Sequence, residues 1–396
     1  MTQTAFLRAH LPGRGETTIL VDEGIVTSIS DGDSEGGRSI QTIDLEGSLV
    51  LPPLVEPHAH LDKAFLADRI PNPSGDLRGA IEAMVRSRET ITESDVADRA
   101  ERAARAMAAH GVSRIRTHVD TTLETGLVNV LGVLEAKNRC GSLVDIEVVV
   151  LLDWPITGVA AQSRLSLAKE AIAAGADVVG GCPHLDDDPV GAVHTLVDLA
   201  LEHGVPLDLH ADENLNPESD DLGTLARRII ADNLQLEANA SHCVSLSVKA
   251  PAEQSQIALD VARAGVTVTV LPQTNLYLQS RETTSGQVRA IAPVDVLRTA
   301  GVRVAAGADN MQDPFNPIGS GDPLETAALV MWASHQSAEN ALDMVSGAAS
   351  LACSVPPTLL QTGMSADFMA LKALNVRDAI ARRPVERIVV RRGRVV

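Results

Sequence analysis

Leu49-Val50-Leu51-Pro52-Pro53-Leu54-Val55-Glu56-Pro57-His58-Ala59-His60-Leu61-Asp62 is an apolar run, broken by a proline pair, that ends in two histidines spaced two apart. If it leaves the core as a buried strand, side chains at i and i+2 lie on one side, and both imidazoles can reach one ion. Taken alone, the spacing fits two hydrogen-bonded core histidines just as well. Its meaning rests on whether other strands end in further ligands.

Outward from this stretch, apolar segments alternate with Ala-rich, helix-favouring ones. The strand candidates are the run ending at His58, Ser113 to Asp120, Ile146 to Leu152, Asp177 to Gly181, Val205 to His210, Ala238 to His242, Val266 to Leu271 and Val302 to Gly307. Helical sequence runs up to His110, near Gly126 to Arg139, from Leu165 to Ala174 and from Pro251 to Ala264. Eight strands alternating with helices predict a parallel (β/α)8 TIM-type barrel, expected over residues 51–359. Both termini read differently, with short strands at Thr18 to Val21, Ile25 to Ile29, Thr42 to Asp44, Asp367 to Leu371 and Arg387 to Val390. The Asp22–Gly24 and Asp31–Asp33 clusters supply turns between the first of them. Residues 1–50 plus 360–396 are therefore expected to pair into a small β-sandwich domain. Two long non-periodic stretches, Leu278 to Val288 and Asp309 to Asp322, follow strands and suit loops over the barrel mouth.

Composition narrows the chemistry. The 396 residues hold 33 Lys and Arg against 52 Asp and Glu, a net charge of −19, which disfavours nucleic acid as a partner. No run spans a bilayer and Met1 to Gly24 lacks the pattern of a signal peptide, so a cytoplasmic protein away from membranes is expected. Cys140, Cys182, Cys243 and Cys353 form no CxxC pair, which leaves His and carboxylates as metal ligands. Exposed barrel helices are compatible with a homo-oligomer.

The polar residues fall at the strand ends. His58 and His60 end the first strand, His210 the fifth and His242 the sixth, while Asp309 follows the eighth. In a barrel these ends share one mouth, and three imidazoles with a carboxylate suit one divalent metal, Zn or Fe, with room for water. Glu213 lies three residues after His210, within reach of a water on such an ion.

The combination resembles the amidohydrolase superfamily, and within it the cytosine deaminase-like branch. The resemblance runs through Glu56–Leu61, Arg116–Asp120, Gly175–Pro183, His210–Glu213, Ser241-His242, the LxLQSR pattern of Asn275–Arg281, and GADNMQDPFNPIG at Gly307–Gly319. It implies a metal-dependent hydrolase of C–N bonds in cyclic amidines, a deaminase that releases ammonia from cytosine or a cytosine-like ring. By position, His58, His60, His210 and Asp309 would bind the metal, Glu213 would pass a proton to the ring, and His242 would orient the attacking hydroxide. Asp309 would also take up the proton of the water. His118 and Asp120 are expected to support the site from behind it. Val178-Val179-Gly180-Gly181 offers no bridging lysine, which points to one ion.

Substrate contacts are expected from Trp154, Ile156, His184, Asn310 and Phe315. Ile156 stands where that branch places a glutamine that reads the pyrimidine edge, and Asn310 where an aspartate often follows the ligand Asp309. Alkylamine removal from an s-triazine, or hydrolysis of a cyclic amide, is therefore the alternative within the fold. A non-catalytic metal-binding scaffold would need no proton carrier at Glu213.

Overall fold

The computed structural model describes residues 3–32, 40–159 and 161–396, so Asp33 of the second turn cluster lies outside them. The strands are β1 Thr4–Leu11, β2 Gly15–Asp22, β3 Ile25–Asp31, β4 Gln41–Asp44, β5 Leu49–Leu51, β6 Leu54–Ala59, β7 Val112–Thr121 and β8 Asp145–Leu152. They continue as β9 Val178–Gly181, β10 Leu207–Ala211, β11 Ala238–His242, β12 Thr267–Val270, β13 Val304–Ala306, β14 Phe368–Leu371, β15 Arg387–Arg391 and β16 Arg394–Val395.

β6 to β13 form one sheet in chain order, each strand parallel to its neighbour. This is the eight-stranded barrel expected from the alternation. The ring is drawn together where β6 meets the residues after β13: Asp309 N donates to His58 O (3.0 Å) and His60 N to Asp309 O (3.2 Å). Close approach elsewhere needs glycine. A Cβ on Gly180 of β9 would stand 2.6 Å from Val149 Cγ1 and 2.7 Å from the Asp208 carbonyl oxygen, so a side chain there would push the strands apart.

The termini build a second, mixed sheet in the order β16-β15-β14-β5-β1-β2-β3, with β4 also paired to β1. Pro52-Pro53 separates β5 in this sheet from β6 in the barrel, because proline cannot donate to a ladder. The sheet has its own apolar cluster, including Ile19, Val26, Val50 and Val390, with Phe6 and Phe368 edge to face at 5.0 Å. β1 was not among the strands expected. Its pairing with β2 shifts register between Phe6 and Ala9, where Arg8 takes a positive φ of 50°, so the bulge breaks the alternation that marks a strand.

One helix positions the site from above. Asp76 caps helix Leu77–Ser87 by accepting from Gly79 N (2.7 Å). Leu77, Ile81, Met84 and Val85 fall at helical spacing and turn towards the barrel mouth. Among the described residues no helix is long and apolar enough to cross a membrane.

Candidate metal-dependent active site

The strand ends bring the expected ligands together. His210 Nε2 lies 3.2 Å from both His58 Nε2 and His60 Nε2, and Asp309 Oδ1 lies 3.2 Å from His60 Nε2 and 3.6 Å from His58 Nε2. A tetrahedral ion with bonds of about 2.0–2.1 Å has ligand edges of roughly 3.3 Å. All four side chains are buried, and neither carboxylate oxygen of Asp309 has a hydrogen-bond partner within the protein. Such a group is costly to bury unless something meets it, and a divalent cation fits. Burial and the crowding of imidazoles push His58 and His210 well below the ordinary histidine range. They are therefore neutral, the form that binds metal.

A second layer fixes which ring nitrogen faces inward. His58 Nδ1 donates to Ser241 Oγ (2.8 Å), and Ser241 donates on to Asp208 (3.1 Å), which also accepts from Asn239 (2.8 Å). Fully buried Arg116 holds Asp208 (2.9 Å), Glu147 (2.7 Å) and the Ala352 carbonyl (2.7 Å). His60 Nδ1 donates to the His118 carbonyl (2.9 Å), and the His118 ring stacks on His58 at 3.9 Å between centroids. Nε2 of both ligands is thus left for the ion. Glu56 accepts from Ala308 N (3.0 Å) and His58 N (3.1 Å), and burial pushes its carboxyl up to about 8.

Beside this cluster stand Glu213 and His242, the two residues expected to handle protons. His242 Nδ1 donates to Asn275 Oδ1 (3.2 Å) and lies 3.5 Å from Glu213 Oε1, while His242 Nε2 has no partner within the protein. Burial pushes His242 down to about 4, which keeps it a neutral acceptor. Burial and the nearby Asp309 charge push Glu213 well above the carboxylate range, so its proton is retained for donation. Asp309 and His242 both hold φ at 68°. Left-handed backbone at a non-glycine residue costs of order 1–3 kcal/mol, which the surrounding packing must offset.

These groups open into a chamber with His60, His210, Glu213, His242 and Asp309 on its floor. Its walls are mostly apolar: Leu77, Ile81, Met84, Leu151, Leu152, Trp154 and Phe315. Of the expected substrate contacts, Trp154, Phe315 and Asn310 line it. Asn310 is held by Thr274 (3.3 Å) and Asp313 (2.7 Å). Ile156 lies outside the lining, buried, with its amide donating to Asp186 (2.6 Å); Leu151 to Trp154 supply that wall. His184 faces a neighbouring cleft, where its Nδ1 donates to the His210 carbonyl (3.1 Å).

Sequence reasoning missed the apolar stripe of helix Leu77–Ser87. Lys63 is buried, lines the chamber and pairs with Asp120 at 2.7 Å. Asp120 and Asp62 hold its charge despite burial.

Fold and site together define a barrel hydrolase built around a divalent-metal site. A profile described as "Amidohydrolase family" matches residues 74–396, and the chain belongs to that family: it is a metal-dependent hydrolase of C–N bonds. A pterin deaminase from Rhizobium rhizogenes is 26% identical over 404 residues, covering 100% of this chain and 91% of the relative. The crystal structure of 5-methylcytosine deaminase from Klebsiella pneumoniae liganded with 5-fluorocytosine superposes with a TM-score of 0.91 at 28% identity, covering 99% of this chain and 97% of that one. N-isopropylammelide isopropylaminohydrolase from Burkholderia multivorans gives 0.86 at 29%, covering 100% and 98%.

Proposed function

We propose that the chain deaminates a small, planar nitrogen heterocycle of the aminopyrimidine or pterin type, with one divalent ion, zinc or iron, at His58, His60, His210 and Asp309. The observation that carries this reading is the placement of Glu213 and His242, 3.5 Å apart, beside the ligand cluster at the floor of an apolar chamber. The bound ion supplies Lewis acidity that brings the pKa of a water near neutrality.

The protein's own residues move the protons. Asp309 takes one from the attacking water, and His242 Nε2 holds the incoming oxygen as it bonds to the ring carbon bearing the amino group. Glu213 donates its proton to the adjacent ring nitrogen. The C–N bond then breaks as Asp309 passes its proton to the departing amine, and Glu213 regains a proton from the new hydroxyl, leaving a carbonyl and ammonia. Lys63, Asp120 and Asn310 are the polar groups placed to orient the ring. The likeness to the isopropylaminohydrolase supports a second reading, in which the same floor expels an alkylamine from a triazine.

The test measures ammonia and alkylamine release by the metal-reconstituted protein over aminopyrimidines, pterins and aminotriazines. Glu213→Gln is expected to lower kcat by about 10²–10⁴ with metal content unchanged. No turnover of any cyclic amidine would overturn the proposal.

A further inference from the structure

One helix face in the chamber is longer than a bare ring requires. Leu77, Ile81, Met84 and Val85 all line the chamber, and the helix carries this stripe over about 12 Å from first to last at its usual rise per residue. A six-membered ring with its van der Waals envelope covers only about 6–7 Å of that length. Roughly 5 Å of apolar wall remains, the reach of a chain of three or four carbons. Val85, at the far end, is 48% exposed, so the stripe runs out to water there.

The charged groups of the chamber are matched within the protein. Lys63 pairs with Asp120 (2.7 Å), Arg88 with Glu124 (2.9 Å) and Asp153 with Arg164 (2.7 Å). Thr122 Oγ1 lies 3.0 Å from Thr125 Oγ1, and burial raises Cys182 well above the thiol range, which keeps it a neutral thiol. Outside the floor, the described lining residues thus offer a charged arm no unpaired counter-ion. Stripping such an arm of water without a partner is costly.

Resting on the deaminase reading, we propose that the substrate is an aminopyrimidine whose ring carries an uncharged alkyl arm of three or four carbons, packed along Ile81, Met84 and Val85. The floor takes the amino-bearing edge of the ring, and the helix takes the arm. Each methylene moved from water onto such a wall is worth about fourfold in affinity. A bicyclic pterin would fill the same length with ring nitrogens, which lose their hydrogen bonds to water against apolar side chains.

The experiment grows the arm one carbon at a time, from hydrogen to propyl, at each of the two hydrogen-bearing ring carbons of cytosine in turn. Deamination kinetics and calorimetric binding are measured on the metal-loaded protein, with pterin alongside. At one of the two carbons, kcat/KM and affinity are expected to rise about fourfold per added carbon. Hydroxyethyl in place of propyl should lose about tenfold. Ile81→Asn should lower the gain along the arm, and the isosteric Val85→Thr, at a half-exposed position, should lower it only for the last carbon. No rise at either carbon, a hydroxyethyl arm that equals propyl, a pterin that outperforms the propyl compound, or a gain that survives both variants would overturn the arm assignment, while turnover of cytosine leaves deamination standing. If no ring is turned over, the deaminase reading fails, and the binding series still decides whether the helix selects an alkyl arm.

Discussion

Replacing Ser241 with alanine removes one oxygen atom and should weaken metal binding without touching a ligand. The hydroxyl accepts from His58 Nδ1 (2.8 Å) and from Asn239 (3.0 Å), and donates to Asp208 (3.1 Å). Without it, the fully buried His58 ring has no acceptor for Nδ1–H, and nothing holds the tautomer that turns Nε2 towards the ion. Loss of such an outer contact costs about 10–100-fold in metal affinity, or roughly 1.4–2.7 kcal/mol. Asp208 keeps Arg116 and Asn239, so the fold should lose only about 1–3 kcal/mol. Competition against a chelator of known affinity gives the metal Kd, and urea unfolding of the metal-free variant gives the stability cost separately. A folded Ser241→Ala protein whose Kd lies within about twofold of wild type would refute the relay.

Three other perturbations probe different layers. Arg116→Met strips the buried cation from Asp208 and Glu147 and should destabilise the protein by about 3–5 kcal/mol, read by urea unfolding. The activity profile should fall on the acid side as His242 gains a proton near pH about 4. On the alkaline side it should fall above the usual carboxylate range, where Glu213 loses the proton it donates, and Glu213→Gln should remove that limb. In the metal-free protein, Glu56 is raised to about 8 from an ordinary 4.5. Its contribution is therefore fully present below the unfolded value and lost as pH rises through the folded one. Stability should drop by up to about 1.4 kcal/mol per pH unit across that window, and Glu56→Gln should flatten the dependence.

The barrel and the gathering of His58, His60, His210 and Asp309 were legible because both depend on local order: apolar runs of strand length, some of them followed at the carboxyl end by His or Asp. The chemistry behind the ligands was not. Arg116 meets Asp208 across 92 positions and His58 meets Ser241 across 183, and no spacing rule joins such distant pairs. The amphipathic stripe Leu77, Ile81, Met84 and Val85 announces a helix but not that its apolar face roofs a chamber. Ile156 misled for a related reason. The chain turns after Trp154 so that the Ile156 amide meets Asp186, and three or four residues past a strand end, position along the sequence no longer fixes direction. Positive φ at His242 and Asp309 is likewise set by tertiary packing, since neither residue type demands it.

The seam between β6 and the residues after β13 gives the protein a built-in order of assembly. Glu56 and Ala308 are 252 positions apart, yet they bond directly beside His58 and Asp309. On the ribosome, His58 and His60 emerge early and wait through most of synthesis for the aspartate that completes their set. A chain arrested before Asp309 has three imidazoles and an open ring, with no carboxylate to balance the ion. The four groups therefore meet only once the residues after β13 have docked against β6.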